Sequence, residues 1–275
     1  MESLCKVFSD EAEVFSNSEI EASSPVRFST GINELDWLYG ESKINGRRKW
    51  GIPEVTISTW VGEDGVGKSR LAIAVAKNKV RDGSKVLYFQ NEVDLPTLAG
   101  WINDKSLKDF YCSEENILSR QLSIIRKCRP SLVFVDSINL IQEFGSGSAK
   151  NIKLIIDGYR EVIKEVRSHI IFLCQLNKAG SAVGSTALGH LPDINFQLKN
   201  TEKDGVFTVG IGRKHRYGRK GSSYISTWEH IETGVKCISN NRLKDNRWDI
   251  YEEEEFDYMK FPNTEVEKFP PFPPF

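Results

Sequence analysis

The sequence lacks the features that would place it among membrane, secreted or zinc-binding proteins. Its 275 residues contain five cysteines, none in a CxxC pair, and this pattern argues against a zinc site or a disulfide framework. No run approaches the roughly 18 consecutive apolar residues of a membrane span. The N-terminus lacks the basic-then-apolar order of a secretory signal. We therefore expect a cytoplasmic protein with free thiols and no membrane partner.

Charge is distributed unevenly along the chain, although the net charge is −1. Residues 1–22 contain six acidic residues and one basic residue, and residues 249–275 contain eight and two, so residues 23–248 carry a net charge of +10. A basic body between acidic ends suits a protein that binds a polyanion.

The same pattern predicts three regions. Residues 1–26 are polar and acidic, and we interpret them as an N-terminal arm or linker. Residues 27–248 are expected to form one folded domain. Residues 249–275 contain four consecutive glutamates and end in a run of proline and phenylalanine, so they are predicted to be a tail that is disordered when unbound.

The order of apolar patterns within the domain predicts an α/β fold. Residues 85–89, 131–135 and 170–174 are short apolar runs that suit strands buried on both faces. Apolar residues at helical spacing predict a helix over 152–166. Strands alternating with helices indicate a mostly parallel central sheet with flanking helices, and the C-terminal third favours β-hairpins.

A glycine-rich motif predicts a phosphate site. Residues 62–69 fit G-x-x-x-x-G-K-S/T between a strand-like and a helical segment. Such a loop directs backbone N–H groups at phosphate oxygens, while its lysine reaches the β- and γ-phosphates and its hydroxyl binds Mg²⁺. We therefore predict binding of ATP and Mg²⁺ by Gly62, Glu63, Asp64, Gly65, Val66, Gly67, Lys68, Ser69 and Arg70.

Three residues at predicted strand ends are candidates to complete this site. Asp136 follows four apolar residues and is predicted to be the second Mg²⁺ ligand beside Ser69. Glu92 follows the strand 85–89 and is our candidate for the residue that activates water, in preference to a surface glutamate. Gln175 ends the strand 170–174 and either senses the γ-phosphate or satisfies local backbone groups.

These placements resemble the RadA branch of the RecA superfamily, which is close to DnaB-type helicases. The resemblance covers about residues 27–228. Residues 29–36 (STGINELD) look like the family's entry motif STGxxELD, and residues 86–92 (VLYFQNE) are similar to the segment with its catalytic glutamate. The resemblance implies a RecA-like P-loop NTPase core. The sequence has no counterpart of the family's four-cysteine zinc module or protease-like domain, and we expect a pared-down motor, with a phage origin as one hypothesis.

A basic segment, residues 213–220, carries a further resemblance. Residues 214–218 (KHRYG) look like the family's KNRFG motif, in which the lysine and arginine reach the ATP of a neighbouring subunit. By resemblance, Lys214 and Arg216 become catalytic residues that act in trans, and the protein forms a homo-oligomer, expected to be a hexameric ring. The alternatives are a solvated basic turn or contact with a phosphate backbone.

Two small-residue loops are candidates to contact single-stranded DNA. One is residues 143–150, with Lys150, and the other is residues 177–189, with Lys178. The second overlaps residues 175–180 (QLNKAG), which together with Gly184, Leu188, His190 and Asp193 resemble the family's second DNA-facing loop. Loops of this composition can follow a sugar-phosphate backbone without reading bases. Flexible surface turns are the alternative for residues 143–150.

The combined interpretation is a ring-forming, ATP-dependent motor that moves on single-stranded DNA, as a helicase or branch-migration ATPase in replication or recombination. The acidic tail resembles tails that dock replication or single-strand-binding proteins. Two other hypotheses stay open: a RecA-type strand-exchange filament, and a KaiC-like nucleotide-gated signalling or scaffold ATPase.

Overall fold

The computed structural model describes residues 25–44, 47–142, 149–176, 186–217, 224–244 and 247–248. Most of the predicted arm, all of the predicted tail, and Lys178 lie outside these ranges. The predicted domain boundaries therefore remain predictions.

A small group of elements precedes the main sheet. They are β1 (Arg27–Phe28), α1 (Asn33–Tyr39), β2 (Glu41–Ile44), β3 (Arg47–Trp50) and β4 (Ile52–Pro53). Strands β1 and β4 pair antiparallel, and β2 and β3 form a separate antiparallel hairpin. The hairpin pairs residues 41–44 with residues 47–50.

A ten-stranded sheet forms the centre of the described part of the chain, in the order β14-β13-β12-β11-β10-β5-β9-β8-β6-β7. Neighbouring strands from β10 to β7 are parallel, and β10 to β14 continue the sheet antiparallel. The strands are β5 (Ile57–Gly62), β6 (Val86–Gln90), β7 (Phe110–Ser113), β8 (Leu132–Asp136), β9 (His169–Gln175), β10 (Ile194–Asn200), β11 (Val206–His215), β12 (Tyr224–Ile231), β13 (Gly234–Lys244) and β14 (Arg247–Trp248).

Four helices connect the parallel strands: α2 (Lys68–Arg81), α3 (Leu95–Ile102), α4 (Leu118–Cys128) and α5 (Ala149–Val166). Helix α3 begins where the Asp94 side chain accepts the N–H of Thr97, and it ends at Asn103 in the left-handed conformation. Among the described residues, no helix combines the length and apolar character needed to cross a bilayer.

The sheet separates two apolar cores, because successive strand residues point to opposite faces. In β8, Leu132 and Phe134 pack in the core that contains α2, whereas Val133 and Val135 pack in the core that contains α4 and α5. Burial on both faces explains why these strands are continuous apolar runs in the sequence. The predicted α/β fold with a mostly parallel sheet is confirmed.

The helix predicted over residues 152–166 is present, but it begins earlier. Its first turn contains the backbone of Ala149 and Lys150, so Lys150 belongs to a helix and not to the loop that the sequence suggested. The last residues of the second predicted DNA-facing loop also have regular structure, since Thr186–Gly189 form a 3-10 turn.

Arg27 connects the N-terminal elements to the residues that follow β11. Its guanidinium is buried and donates to the carbonyls of Tyr39 (3.1 Å) and Gly51 (2.7 Å), to Ser42 Oγ (2.6 Å) and to the carbonyl of Tyr217. Burial lowers its pKa to about 10, so the side chain stays protonated at neutral pH. One buried cation therefore satisfies acceptors from four separate segments.

We expect Arg27→Ala to lower the free energy of unfolding by about 3 kcal/mol, because several buried acceptors lose their donor. Urea unfolding of the full chain measures the change. The matched control is Arg48→Ala, which removes a largely exposed arginine beside Glu41 and should cost less than about 0.5 kcal/mol. Equal effects of the two substitutions would show that the Arg27 contacts do not stabilise the fold.

Candidate nucleotide-binding site

The predicted phosphate loop connects the end of β5 to the start of α2. Gly65 and Gly67 have φ angles of 73° and 107°, a conformation that favours glycine. Lys68 is 8% exposed, and its Nζ donates to the carbonyls of Gly62 (2.9 Å) and Glu63 (2.8 Å). Burial lowers its pKa, against the opposing charges of nearby carboxylates. A lysine held at a helix N-terminus in this way fits a phosphate chain.

Side chains from the antiparallel strands β11 and β12 pack against this loop. A Cβ atom on Gly67 would lie 2.7 Å from Cε1 of His230 and 3.1 Å from Cε1 of Phe207. The two rings pack on each other with centroids 5.1 Å apart. Neither residue could be predicted from the sequence, because no motif marks them and their contact with the loop depends on strand order.

Asp136 lies at the end of β8, where its carboxylate faces the first turn of α2. Its Oδ2 accepts from Ser69 Oγ (2.6 Å) and from the hydroxyl of Tyr88 (2.8 Å). Burial raises the pKa of Asp136, whereas these two hydrogen bonds lower it. Adjacent hydroxyl and carboxylate oxygens are the donors that Mg²⁺ takes alongside phosphate oxygens and water, so the pair fits that ion.

Glu92 and Gln175 lie beside this pair at the same edge of the sheet. Gln90 is opposite Asp136 in register, and Gly62 is opposite Gln175. Gln175 Nε2 donates to Glu92 Oε1 at 3.2 Å. Partial burial of its carboxyl group, followed by the charge of Asp136, raises the pKa of Glu92, although Glu92 as a whole residue is exposed. A carboxylate with a raised pKa suits a general base.

Other residues at this edge were not found from the sequence. Tyr88 was part of a predicted strand, but its hydroxyl could not be assigned to Asp136 without the strand order. Asn91 donates its backbone N–H to the carbonyl of Asp136 (2.8 Å), and its buried side-chain amide has no hydrogen-bond partner among the described residues. Arg70, which was predicted, lies over the ring of Trp101, with 5.2 Å between guanidinium carbon and ring centroid.

Lys214 and Arg216 lie near the amino ends of the parallel strands, which form the opposite edge of the sheet from the phosphate loop. His215 pairs with Ile194 at the start of β10, whereas Gly62 pairs with Leu198 four residues further along. Four strand residues span about 13 Å. The structure therefore does not bring these two basic residues to the other predicted site residues of the same chain.

Polar contacts hold both basic residues at that edge. Lys214 Nζ donates to the carbonyl of His190, and burial, followed by the charge of Arg216, lowers its pKa. Arg216 Nη1 lies 3.6 Å from Asp193 Oδ1. The remaining predicted DNA contacts cannot be located as side chains, because Lys178 lies outside the described residues and only the backbone of Lys150 lies within them.

A RecA-like fold follows from comparison with solved structures. The crystal structure of the RadB recombinase superposes with a TM-score of 0.58 at 19% sequence identity, covering 77% of this chain and 99% of that chain. The chain therefore has the mixed α/β architecture of RecA-like P-loop proteins.

Sequence comparison gives a more specific similarity. DNA repair protein RadA from Mycolicibacterium smegmatis is 23% identical over 227 residues (78% of this chain, 45% of that protein), and RadA from Campylobacter jejuni is 25% identical over 247 residues (86% and 51%). RadA from Bacillus subtilis is 23% identical over 232 residues (81% and 47%). No family model matches the chain.

The chain spans about half the length of the curated relatives it matches. The repeated similarity to RadA and the RecA-like fold together support a RadA/RecA-superfamily assignment. The resemblance suggested by the sequence motifs is confirmed at this level.

We expect Gly67→Ala to weaken nucleotide binding at least tenfold, because the new methyl group would meet the His230 ring in a loop that also needs a left-handed φ. Titration with a fluorescent ATP analogue measures the affinity. The matched control is Gly83→Ala, which also has a left-handed φ (83°) but has no atom within 4 Å of the added Cβ; it should leave affinity unchanged. Adding His230→Ala to Gly67→Ala should restore part of the binding. An unchanged affinity in Gly67→Ala would contradict the proposed contact.

Proposed function

We propose that the chain is an ATP-dependent DNA motor, a helicase or branch-migration ATPase of the RadA/DnaB type that moves on single-stranded DNA as a ring. The observation that carries this proposal is the division of the site between two edges of one sheet. Lys68, Ser69, Asp136 and Glu92 converge at one edge, and Lys214 and Arg216 lie at the other.

Each residue at the carboxyl edge has a chemical role in the proposed hydrolysis. Lys68 binds the β- and γ-phosphates, and Ser69 and Asp136 hold Mg²⁺, which neutralises charge on the phosphates when bound. Glu92 orients the attacking water and accepts its proton, a role that its raised pKa supports. Gln175 is hydrogen-bonded to Glu92, so it can transmit the state of the γ-phosphate to the segment that follows β9.

The basic segment is proposed to act on a second copy of the chain. Because Lys214 and Arg216 are separated from their own phosphate loop by about 13 Å of sheet, they cannot complete that site within one chain. A neighbouring copy whose carboxyl edge meets this segment would receive both cations. Cations supplied in this way stabilise charge on the transferring phosphoryl group. A closed ring, with a hexamer expected from the resemblance, gives every site such a neighbour.

DNA is the proposed substrate on three grounds. Residues 23–248 carry a net charge of +10, which suits a polyanion. The relatives are named as DNA repair proteins. The sequence that follows β8 and β9 contains Lys150, in the first turn of α5, and Lys178, and we propose that these two residues contact the phosphate backbone. The acidic tail is proposed to dock a replication or single-strand-binding protein.

Similarity to the RadB recombinase supports a second candidate, a strand-exchange recombinase that forms a filament. Electron microscopy of the protein with ATP and single-stranded DNA separates the two, since closed rings favour the motor and helical filaments favour the recombinase. A nucleotide-gated signalling ATPase is the third candidate, and its hydrolysis would not respond to DNA.

We expect single-stranded DNA to stimulate steady-state ATP hydrolysis, and Lys68→Ala to abolish the activity. Arg216→Ala should lower hydrolysis by about a thousandfold, as for loss of an arginine finger. A rate that DNA does not change would contradict the motor and favour the signalling alternative.

The same assay tests action in trans. In a mixture of Lys68→Ala and Arg216→Ala chains, some interfaces combine an intact phosphate loop with an intact basic segment. We therefore expect the mixture of two inactive variants to regain hydrolysis. Two variants at the same site, such as Lys68→Ala with Asp136→Ala, should not complement each other and serve as the control. Absence of any recovery would contradict the shared site.

The raised pKa of Glu92 predicts a pH dependence. The carboxylate must be deprotonated to accept a proton, so kcat should fall on the acid side through a pKa above the ordinary glutamate value. Glu92→Gln should lower kcat by about 10²–10⁴, whereas Glu232→Gln, at an exposed turn, should leave the profile unchanged. High activity in Glu92→Gln, with the acid limb retained, would assign the base to another residue.

A further inference from the structure

The carboxylate of Asp193 is the common partner of two arginines. Arg216 Nη1 and Arg160 Nη2 both lie 3.6 Å from the same oxygen, Asp193 Oδ1. The other oxygen, Oδ2, accepts the backbone N–H of Ile57 at 3.1 Å. The carboxylate side chain is 9% exposed, whereas the side chains of Arg160 and Arg216 are 32% and 55% exposed. A nearly buried anion is therefore fixed to the start of β5 and shared by two more exposed cations.

Backbone contacts hold this arrangement in place. The N–H of Asp193 donates to the carbonyl of Ile57 (2.8 Å), and the N–H of Arg216 donates to the carbonyl of Asp193 (3.1 Å). Arg160, in the second half of α5, also donates to the carbonyl of Leu191. Asp193 thus positions Arg216 through both main chain and side chain, while Arg160 reaches the same carboxylate from a separate helix.

We propose that Asp193 and Arg160 are positioning residues for Arg216, with Arg160 keeping Asp193 paired when Arg216 moves to the phosphate of a neighbouring subunit. This inference rests on the proposed action of Arg216 in trans. Removing the partner of a nearly buried carboxylate is strongly unfavourable. Because Arg160 shares the same oxygen, the carboxylate loses one of its two ion pairs when Arg216 leaves and remains paired with Arg160.

Arg160 is therefore expected to affect kcat through its ion pair with the Asp193 carboxylate. Without the Arg160 charge, Arg216 is the one guanidinium among the described side chains that still pairs with the carboxylate, and it is held there more strongly. With Asp193→Asn, an oxygen can still accept the N–H of Ile57, but no negative charge retains Arg216. The role of Arg160 should then disappear.

The test is a double-mutant cycle on the full chain, with kcat and KM for ATP measured in the presence of single-stranded DNA. We expect Arg160→Gln to lower kcat about tenfold, or about 1.4 kcal/mol in activation free energy, with KM unchanged. Arg160→Lys should keep most of the activity. In an Asp193→Asn background, Arg160→Gln should change kcat less than twofold. Arg126→Ala is the matched control, since it removes an arginine that pairs with Glu165 between α4 and α5 and should not change kcat.

The outcomes separate this inference from the proposed function. If Arg160→Gln lowers kcat equally in both backgrounds, Arg160 acts structurally, for example through Leu191, and the inference is overturned. If kcat is unchanged in Arg160→Gln while the Lys68→Ala and Arg216→Ala chains complement each other, the inference fails and the shared site stands. If those two chains do not complement each other, both proposals fail. Urea unfolding of each variant identifies a loss of activity caused by unfolding, and the Arg160→Lys and double variants then decide the result.

Discussion

The site depends most on the register of the parallel strands. A phosphate loop needs a carboxylate within hydrogen-bond distance of its hydroxyl, and here Ser69 Oγ and Asp136 Oδ2 lie 2.6 Å apart although 67 residues separate them. That contact depends on the registers of β5, β9, β8 and β6, in which Gly62 pairs with Gln175, Leu173 with Asp136, and Asp136 with Gln90. A slip of one residue would turn each side chain to the other face. Burial of these four strands on both faces makes such a slip costly.

The parts of the fold and site that could be predicted are those written in local sequence. The apolar run before Asp136, the glycine spacing of residues 62–69 and the helical stripe of α5 each occupy a continuous stretch, and the resemblance added residues 214–218. Placement at strand ends also followed, because parallel strands bring their carboxyl ends to one edge. Boundaries were less accurate, as the start of α5 at Ala149 shows.

The parts that could not be predicted depend on which strands become neighbours. Tyr88 contacts Asp136 only because β6 lies beside β8. His230, on β12, approaches Gly67 only because β10, β11 and β12 lie in that order beside β5. Arg160 has no distinguishing pattern in the sequence, since it lies among the residues of an amphipathic helix. Its partner Asp193 is 33 residues away, and their meeting depends on where α5 packs against the sheet.

Strand β11 extends from the phosphate loop to Lys214. In the proposed mechanism, these two places act at different steps. Phe207, the second residue of β11, packs with His230 behind the phosphate loop. His215, its last residue, is about 20 Å away along the sheet, because the β10 partners of these two residues are Asn200 and Ile194. Residues 207–210 pair with both β10 and β12, and the ladder with β10 continues to His215 with one irregularity. In an assembly of the proposed kind, a shift of one phosphate loop on nucleotide exchange would be transmitted along β11 to Lys214 and Arg216, the cations proposed to act on the next subunit.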